Sequence, residues 1–211
     1  MLDRMLRPVK ERVVSPLAGA LSARVHPTGI TIAAFLLGVG AFVCLLHREM
    51  LLCALLWLAG RLFDGLDGAV ARRSGKQSDL GGYLDIVLDI VAYALIPLGM
   101  ALAFPSPAVY VAVSVLLAVF YINISSWMYL SALLEKRKAA GIREIQTSVF
   151  MPAGLIEGTE TIVFYTLFIA LPQYFVPLAY VMAAMTGITV VQRLLWAIRA
   201  LPAGERSGDT R

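Results

Sequence analysis

The sequence predicts an all-α polytopic membrane protein with six transmembrane helices, and three observations point to this fold class. Hydrophobic residues make up 59% of the 211-residue chain and the mean hydropathy is +0.79, whereas soluble domains are about 45–50% apolar. The apolar residues form six runs, each near the length that a helix needs to cross a bilayer. Basic residues are concentrated in alternate loops between these runs. The chain is therefore expected to be integral to a membrane.

Residues 1–27 are expected to form an amphipathic helix that lies on the membrane surface. Apolar residues such as Leu2, Met5 and Leu6 recur there at helical spacing, with basic residues between them. This pattern is typical of interfacial helices on anionic lipid. A signal peptide is the alternative. It is less favoured because no apolar run directly follows the basic start and no convincing cleavage site precedes the first long apolar stretch.

One domain over residues 28–201 is expected to hold all six spans, with a disordered tail over residues 202–211. The predicted spans are 28–46, 50–73, 79–104, 108–134, 153–171 and 176–198. The second and fourth loops between them are basic, whereas the third and fifth carry no charge. The positive-inside rule then places both termini on the cytoplasmic side of the inner membrane. The net charge of +4 is explained by this topology, so we expect no nucleic-acid partner.

Four aspartates lie inside or against apolar segments, namely Asp64, Asp67, Asp85 and Asp89. An aspartate at the centre of a membrane helix costs about 2.5–3.5 kcal/mol, so the four need compensation. Asp64 and Asp67 are three residues apart, and Asp85 and Asp89 are four apart, so each pair projects from one face of a helix. Two adjacent helices could gather all four into one cytoplasm-accessible pocket, where Mg²⁺ or Mn²⁺ would neutralise them.

Ion pairing within the protein is the competing explanation for these aspartates. Arg61 and Arg193 are the candidate partners. Two arginines cannot neutralise four aspartates together with Glu157 and Glu160, so the charge balance favours metal.

The stretch from Asp64 to Asp89 reads D-x2-D-G-x2-A-R-x8-G-x3-D-x3-D. It resembles, without a departure, the signature of the CDP-alcohol phosphotransferase (CDP-alcohol phosphatidyltransferase) family of membrane enzymes. The resemblance implies a transferase of phospholipid biosynthesis that moves a phosphatidyl group from a CDP-linked lipid such as CDP-diacylglycerol to a small alcohol, with release of CMP. It also implies a homodimer.

The resemblance also implies roles for the charged residues of the motif. Asp64, Asp67 and Asp85 look like metal ligands, and Asp89 is expected to complete a second metal site and to act as the general base. Arg72 is expected to contact the diphosphate, because a fixed cation with several donors suits phosphate oxygens.

Small residues beside the aspartates are expected to leave room for the nucleotide. Gly68 and Ala71 share the face of Asp64, and Gly81 lies one turn before Asp85. Close helix packing is the alternative explanation for such residues.

The sequence H26-P27-T28-G29-I30-T31 also resembles the start of the family's first span. There Thr31 is expected at the nucleotide site. Thr28 stands where an asparagine is common, and a helix cap explains it equally well.

The acceptor alcohol is not determined by the sequence. Glu157 and Glu160 lie near the start of the fifth predicted span and share a helix face, which favours a neutral or cationic acceptor. The opposite hypothesis is a phosphorylated acceptor bound by Arg143 and Arg193.

Two other functions share the acidic, intramembrane character of this chain. An intramembrane prenyltransferase also binds diphosphate through aspartates, but such enzymes resemble longer bundles and lack the G-x2-A-R element. A cation transporter would need ionisable groups along a path through the bilayer, whereas the outer halves of these spans are nearly free of charge.

Overall fold

The computed structural model describes residues 16–22, 25–139 and 154–201, and this part of the chain is helical and contains no strand. The helices are α1 (16–21), α2 (Pro27–Leu46), α3 (Met50–Ser74), α4 (Asp79–Ala103), α5 (Pro107–Ala139), α6 (Gly158–Ala170), a 3₁₀ helix (Pro172–Tyr174) and α7 (Phe175–Ala200). The all-α prediction is confirmed. Residues 1–15 of the expected interfacial helix, Arg143 and the expected tail from residue 202 lie outside the described residues.

Local sequence signals set the ends of the helices that carry the motif. Pro27 occupies the first turn of α2, where a missing N–H is tolerated because it would have no helical partner. α3 is followed by Gly75, whose φ of 65° is the left-handed conformation that commonly ends a helix. Ser78 caps α4, and its hydroxyl oxygen accepts a hydrogen bond of 3.1 Å from the backbone N–H of Gly81.

Four of the described helical segments are long and apolar enough to cross a membrane, which supports the prediction of a membrane protein. They are Pro27–Leu46, Asp79–Ala103, Pro107–Arg137 and Pro172–Ala200. The second and fifth predicted spans are also helical, but α3 carries several charges and α6 has only 13 residues, about 20 Å of helix. The predicted start of the fifth span at residue 153 is wrong, because the helix begins at Gly158 after an N-cap at Glu157.

The helices form two groups that meet around an apolar core. α2 packs against α3 and α4, α5 packs against α7, and α6 contacts both α3 and α7. The core contains fully buried Trp57, Tyr165, Phe168 and Phe175. It lies toward the ends of the helices joined by residues 47–49 and 104–106, whereas the aspartates lie toward the other end. The molecule is therefore apolar in one half and charged in the other, as the sequence predicts.

A proline inside α4 links this helix to α6. Pro97 has no N–H, so the carbonyl of Tyr93, four residues earlier, has no helical donor. The hydroxyl of Tyr165 donates a hydrogen bond of 2.8 Å to that carbonyl. Tyr165 also stacks on Trp57, with ring centroids 5.2 Å apart. The aromatic cluster therefore supplies the hydrogen bond that the proline removes.

The short helix α1 packs onto the ends of α2 and α3. Ala18 is fully buried and shares a cluster with Ile30, Leu66 and Val70. The part of the N-terminal segment that the structure describes therefore contacts the protein. Its placement on a membrane surface stays a prediction.

Candidate active site

A cleft of about 190 Å³ opens where the start of α2, the end of α3 and the start of α4 meet. It is lined by residues that the sequence assigned to the site, which are Thr31, Asp67, Gly68, Ala71, Arg72, Gly81 and Asp85. The two halves of the motif lie on different helices, and the turn at Gly75 brings them to one place. Six of the eight motif residues therefore share one concave surface, whereas Asp64 and Asp89 are not among the residues that line it.

The cleft also contains residues that the sequence analysis did not assign to the site. Lys76, Gln77, Ser78 and Gly82 line it. The first three lie inside the eight-residue gap of the motif. Lys76 belongs to the basic second loop, which the sequence analysis used only to assign the topology. Its position directly after the helix-ending Gly75 is the signal that could have placed it at the site.

Thr28 lines the cleft as well. It is not the helix cap that the alternative interpretation suggested, because His26 occupies the N-cap of α2.

Because Gly68 and Gly81 have no side chain, they leave space for the side chains of other residues that line the cleft. A Cβ at Gly68 would lie 3.2 Å from Nη1 of Arg72, and one at Gly81 would lie 3.0 Å from the Ser78 hydroxyl oxygen. Neither Cβ would meet another helix within 4 Å. Close helix packing is instead seen at Gly60, whose Cβ would lie 3.2 Å from the carbonyl oxygen of Ala34. The steric explanation therefore fits the two motif glycines better than packing does.

Asp67 is buried at the base of the cleft, with 5% of its surface exposed. Its Oδ2 accepts a hydrogen bond of 2.6 Å from the hydroxyl of Thr31. Thr31, predicted at the nucleotide site, therefore also fixes the orientation of a carboxylate. The ion pairs seen among the described residues reach Asp64 and Asp89, whereas Asp67 is held by the Thr31 hydroxyl.

Asp64 and Asp89 are paired with Arg61, as the competing explanation suggested for some aspartates. Arg61 Nη1 lies 2.6 Å from Asp89 Oδ1 and 3.8 Å from Asp64 Oδ2. The Arg61 side chain is only 4% exposed. One arginine therefore serves two of the four carboxylates and leaves a net charge of about −3 on the group.

The carboxylates provide oxygen ligands of the kind that Mg²⁺ and Mn²⁺ prefer. Asp85 joins the set, because it lines the cleft with Asp67 and also lines a narrow crevice with Asp64 and Asp89. Within the described residues, no three acidic, histidine or cysteine side chains are already gathered at metal-binding distances. The residues fit a divalent cation in chemistry and charge.

A second cavity, of about 340 Å³, lies between α4, α5 and the start of α6. Asp89 lines it together with Tyr93, Asn123, Trp127 and Glu157. Arg193 contacts one of these lining residues. Its Nη1 donates hydrogen bonds of 2.9 Å to the backbone and side-chain oxygens of Asn123. Asp89 therefore faces this cavity as well as the crevice between the aspartates.

The two glutamates of the predicted acceptor site occupy different positions. Glu157 lines the second cavity, whereas Glu160 is buried and its carboxylate accepts a hydrogen bond of 3.3 Å from the backbone N–H of Glu157. Together they form a capping box at the start of α6. The expectation that both lie on one helix face is wrong, because Glu157 precedes the helix.

Comparison with known proteins gives a match along most of the chain. Residues 24–195 match the family described as CDP-alcohol phosphatidyltransferase. The inner membrane protein YnjF of Escherichia coli is 35% identical over 195 residues, which cover 92% of this chain and 94% of that protein.

Two crystal structures of the phosphatidylinositol phosphate synthase PgsA1 of Mycobacterium tuberculosis share the fold. The structure with CDP-DAG bound has a TM-score of 0.69 at 22% identity and covers 92% of this chain and 100% of that chain. The structure in complex with manganese and citrate has a TM-score of 0.63 at 21% identity, with 93% and 96% covered.

Proposed function

This chain belongs to the CDP-alcohol phosphatidyltransferase family of enzymes, and on that premise we propose that it transfers a phosphatidyl group from CDP-diacylglycerol or a related CDP-linked lipid to an alcohol. The observation that carries the proposal is the cleft in which six of the eight motif residues, from both α3 and α4, meet. Family membership favours this activity over the prenyltransferase and transporter alternatives.

The donor nucleotide and diphosphate are proposed to bind in the cleft. Gly68, Ala71 and Gly81 provide its open walls, and Arg72 and Lys76 provide positive charge along it. Charge-assisted hydrogen bonds from such groups bind phosphate oxygens strongly. The PgsA1 structure with CDP-DAG bound supports a donor of this class.

Two divalent cations, Mg²⁺ or Mn²⁺, are proposed to bind between the cleft and the crevice. Asp64, Asp67 and Asp85 would hold them, with Asp89 completing the second site. When bound, such ions neutralise the diphosphate and favour departure of the leaving group. The net negative charge of the four carboxylates with Arg61 supports this assignment, as does the manganese complex of PgsA1.

Asp89 is proposed to accept the proton of the alcohol. The hydroxyl oxygen forms a bond to the β-phosphorus while the bond from that phosphorus to the bridging oxygen breaks. The bridging oxygen leaves with CMP, and the hydroxyl proton passes to a carboxylate oxygen of Asp89. A base must lie within hydrogen-bond reach of the proton it removes, and Asp89 faces the second cavity, where an alcohol has room to bind.

The acceptor is proposed to be an uncharged or cationic alcohol that binds in the second cavity. Among the described residues none of those that line it is basic, and Asn123, Glu157 and Thr161 offer polar atoms. Glu157, the N-cap residue of α6, is the residue proposed to contact the acceptor, while Glu160 at the third helical position completes the capping box. A phosphorylated acceptor bound through Arg193 and Arg143 is the alternative, which the name of PgsA1 and the position of Arg193 favour.

The six-span topology, the inner-membrane location and the cytoplasmic face of the site are proposed from the basic loops, and the homodimer from the family resemblance. The domain is proposed to span residues 28–201. A cysteine placed at Lys76 should react with an impermeant thiol reagent in inside-out vesicles and not in right-side-out vesicles. The reverse labelling pattern would contradict the proposed sidedness.

The direct test uses purified protein in detergent with radiolabelled CDP-diacylglycerol and Mn²⁺, and it follows CMP release with glycerol 3-phosphate, inositol, inositol phosphate, serine and choline. We expect metal-dependent release with inositol, serine or choline. Release only with a phosphorylated alcohol would transfer the acceptor assignment to Arg193. Absence of both release and CDP-diacylglycerol binding would overturn the proposed function.

A further inference from the structure

Arg61 lies outside the motif, yet it is the cation bound most closely to the aspartates in the described part of the chain. Its Nη1 donates a hydrogen bond of 2.6 Å to Asp89 Oδ1, and its side chain is 4% exposed. A charged side chain that is so deeply buried destabilises a protein unless its surroundings compensate the charge. The motif does not explain why an arginine is buried here.

Aromatic rings hold the guanidinium in place. The Cζ atom of Arg61 lies 5.0 Å from the ring centroid of Trp57 and 4.8 Å from that of Tyr93, and both distances are within the range of cation–π attraction. Tyr165 packs against both rings, at 5.2 and 5.6 Å between centroids. Trp57 and Tyr165 are fully buried, so the rings cannot readily move aside.

Because the guanidinium is fixed, the carboxylate it binds is fixed as well. Arg61 binds Oδ1 of Asp89, and this bond sets the direction of the lone pairs that the carboxylate can offer to an incoming hydroxyl. Arg61 itself lines the crevice and not the donor cleft or the second cavity. Arg61 therefore acts on substrates through its neighbours, of which Asp89 and Tyr93 line the second cavity.

We propose that Arg61 is a positioning residue that holds Asp89 in the orientation needed to accept the acceptor's proton. The inference rests on the proposed function. It assigns to the buried arginine, with its aromatic support, the task of keeping one carboxylate oxygen directed toward the hydroxyl.

Arg61→Met and Arg61→Lys in the purified full-length protein test this proposal through CMP release. We expect Arg61→Met to lower kcat by about 10²- to 10³-fold, the scale of general-base catalysis, with KM for the CDP-lipid changed less than about threefold. Arg61→Lys keeps the charge without the planar fork and should restore part of kcat. Arg48→Met is the matched control. Arg48 also stacks on a ring, that of Phe104, and donates to the carbonyl of Ala103, far from the aspartates.

A measurement independent of activity uses thermal unfolding of Arg61→Met alone and combined with Asp89→Asn. If Arg61 acts on Asp89, the double variant should unfold at a higher temperature than Arg61→Met, because it no longer leaves a partly buried carboxylate without its cation. Equal unfolding temperatures, or wild-type kcat in Arg61→Lys and in folded Arg61→Met, would overturn the proposal alone. Absence of CMP release by the wild-type protein would overturn the proposed function as well.

Discussion

Replacing Tyr165 by phenylalanine should destabilise the protein by removing one hydrogen bond from the interior. The side chain is fully buried and its hydroxyl donates to the Tyr93 carbonyl at 2.8 Å. Phenylalanine keeps the ring contacts, so the substitution removes only the hydroxyl and its hydrogen bond. A buried acceptor left without a partner costs about 1–3 kcal/mol, whereas hydrogen bonds between membrane helices average about 0.6 and reach about 1.7 kcal/mol. We expect a loss of about 1–2 kcal/mol, because Pro97 leaves this carbonyl no helical donor.

The assay is thermal unfolding in detergent, followed by intrinsic fluorescence. For a chain of this size the loss corresponds to about 2–8 °C. Tyr110→Phe is the control, because Tyr110 is half exposed on α5, and it should leave the unfolding temperature unchanged. In a Pro97→Ala background the new N–H can donate to the Tyr93 carbonyl, so Tyr165→Phe should cost less than half as much. An equal loss in both backgrounds would refute the reasoning.

Four further changes test the site itself. Asp89→Asn should lower kcat for CMP release by about 10²- to 10⁴-fold while CDP-lipid binding stays within about threefold, and full activity would contradict its assignment as the base. Asp67→Asn should weaken Mn²⁺-dependent donor binding, measured by calorimetric titration with and without the metal, and an unchanged metal dependence would speak against Asp67 as a ligand. Lys76→Met should raise KM for the CDP-lipid about tenfold, because it removes charge-assisted hydrogen bonding of about 1.4 kcal/mol. An unchanged KM would place Lys76 outside the donor site. Glu157→Gln should change the preference among acceptor alcohols, whereas Glu160→Ala, which removes the acceptor of the capping box, should lower only the unfolding temperature; unchanged preference in Glu157→Gln would leave the acidic acceptor site unsupported.

The sequence was most informative where spacing alone determines position. The four aspartates were expected to share one pocket. Asp67 and Asp85 line the cleft together with Gly68 and Gly81, whereas Asp64 and Asp89 line the adjoining crevice, which Asp85 also reaches. A helix places residues three and four apart on one face, and Gly75 is a strong signal for the turn that brings the helices together. The core of the site therefore followed from local rules.

Contacts between distant parts of the chain were not predictable in the same way. The Tyr165 hydroxyl meets a carbonyl 72 residues away, and Arg61 is enclosed by rings from two helices, so these contacts depend on how the helices pack. The start of α6 was misplaced because a count of apolar residues does not detect a cap. Glu157 occupies the N-cap of a capping box, a position where serine or threonine is usual, so the ordinary sequence signal for this boundary is missing.

Distances along α4 from its capped start indicate how deep its aspartates lie in the bilayer. Asp85 and Asp89 follow Asp79 by six and ten residues, so they lie about 9 and 15 Å along the helix axis. The hydrocarbon layer is about 30 Å thick, so in a topology where that layer begins at Asp79, Asp89 would lie close to its midplane. The solvent for this carboxylate would then arrive through the protein's own cavities, and a lipid headgroup would leave the plane of its neighbours to reach it.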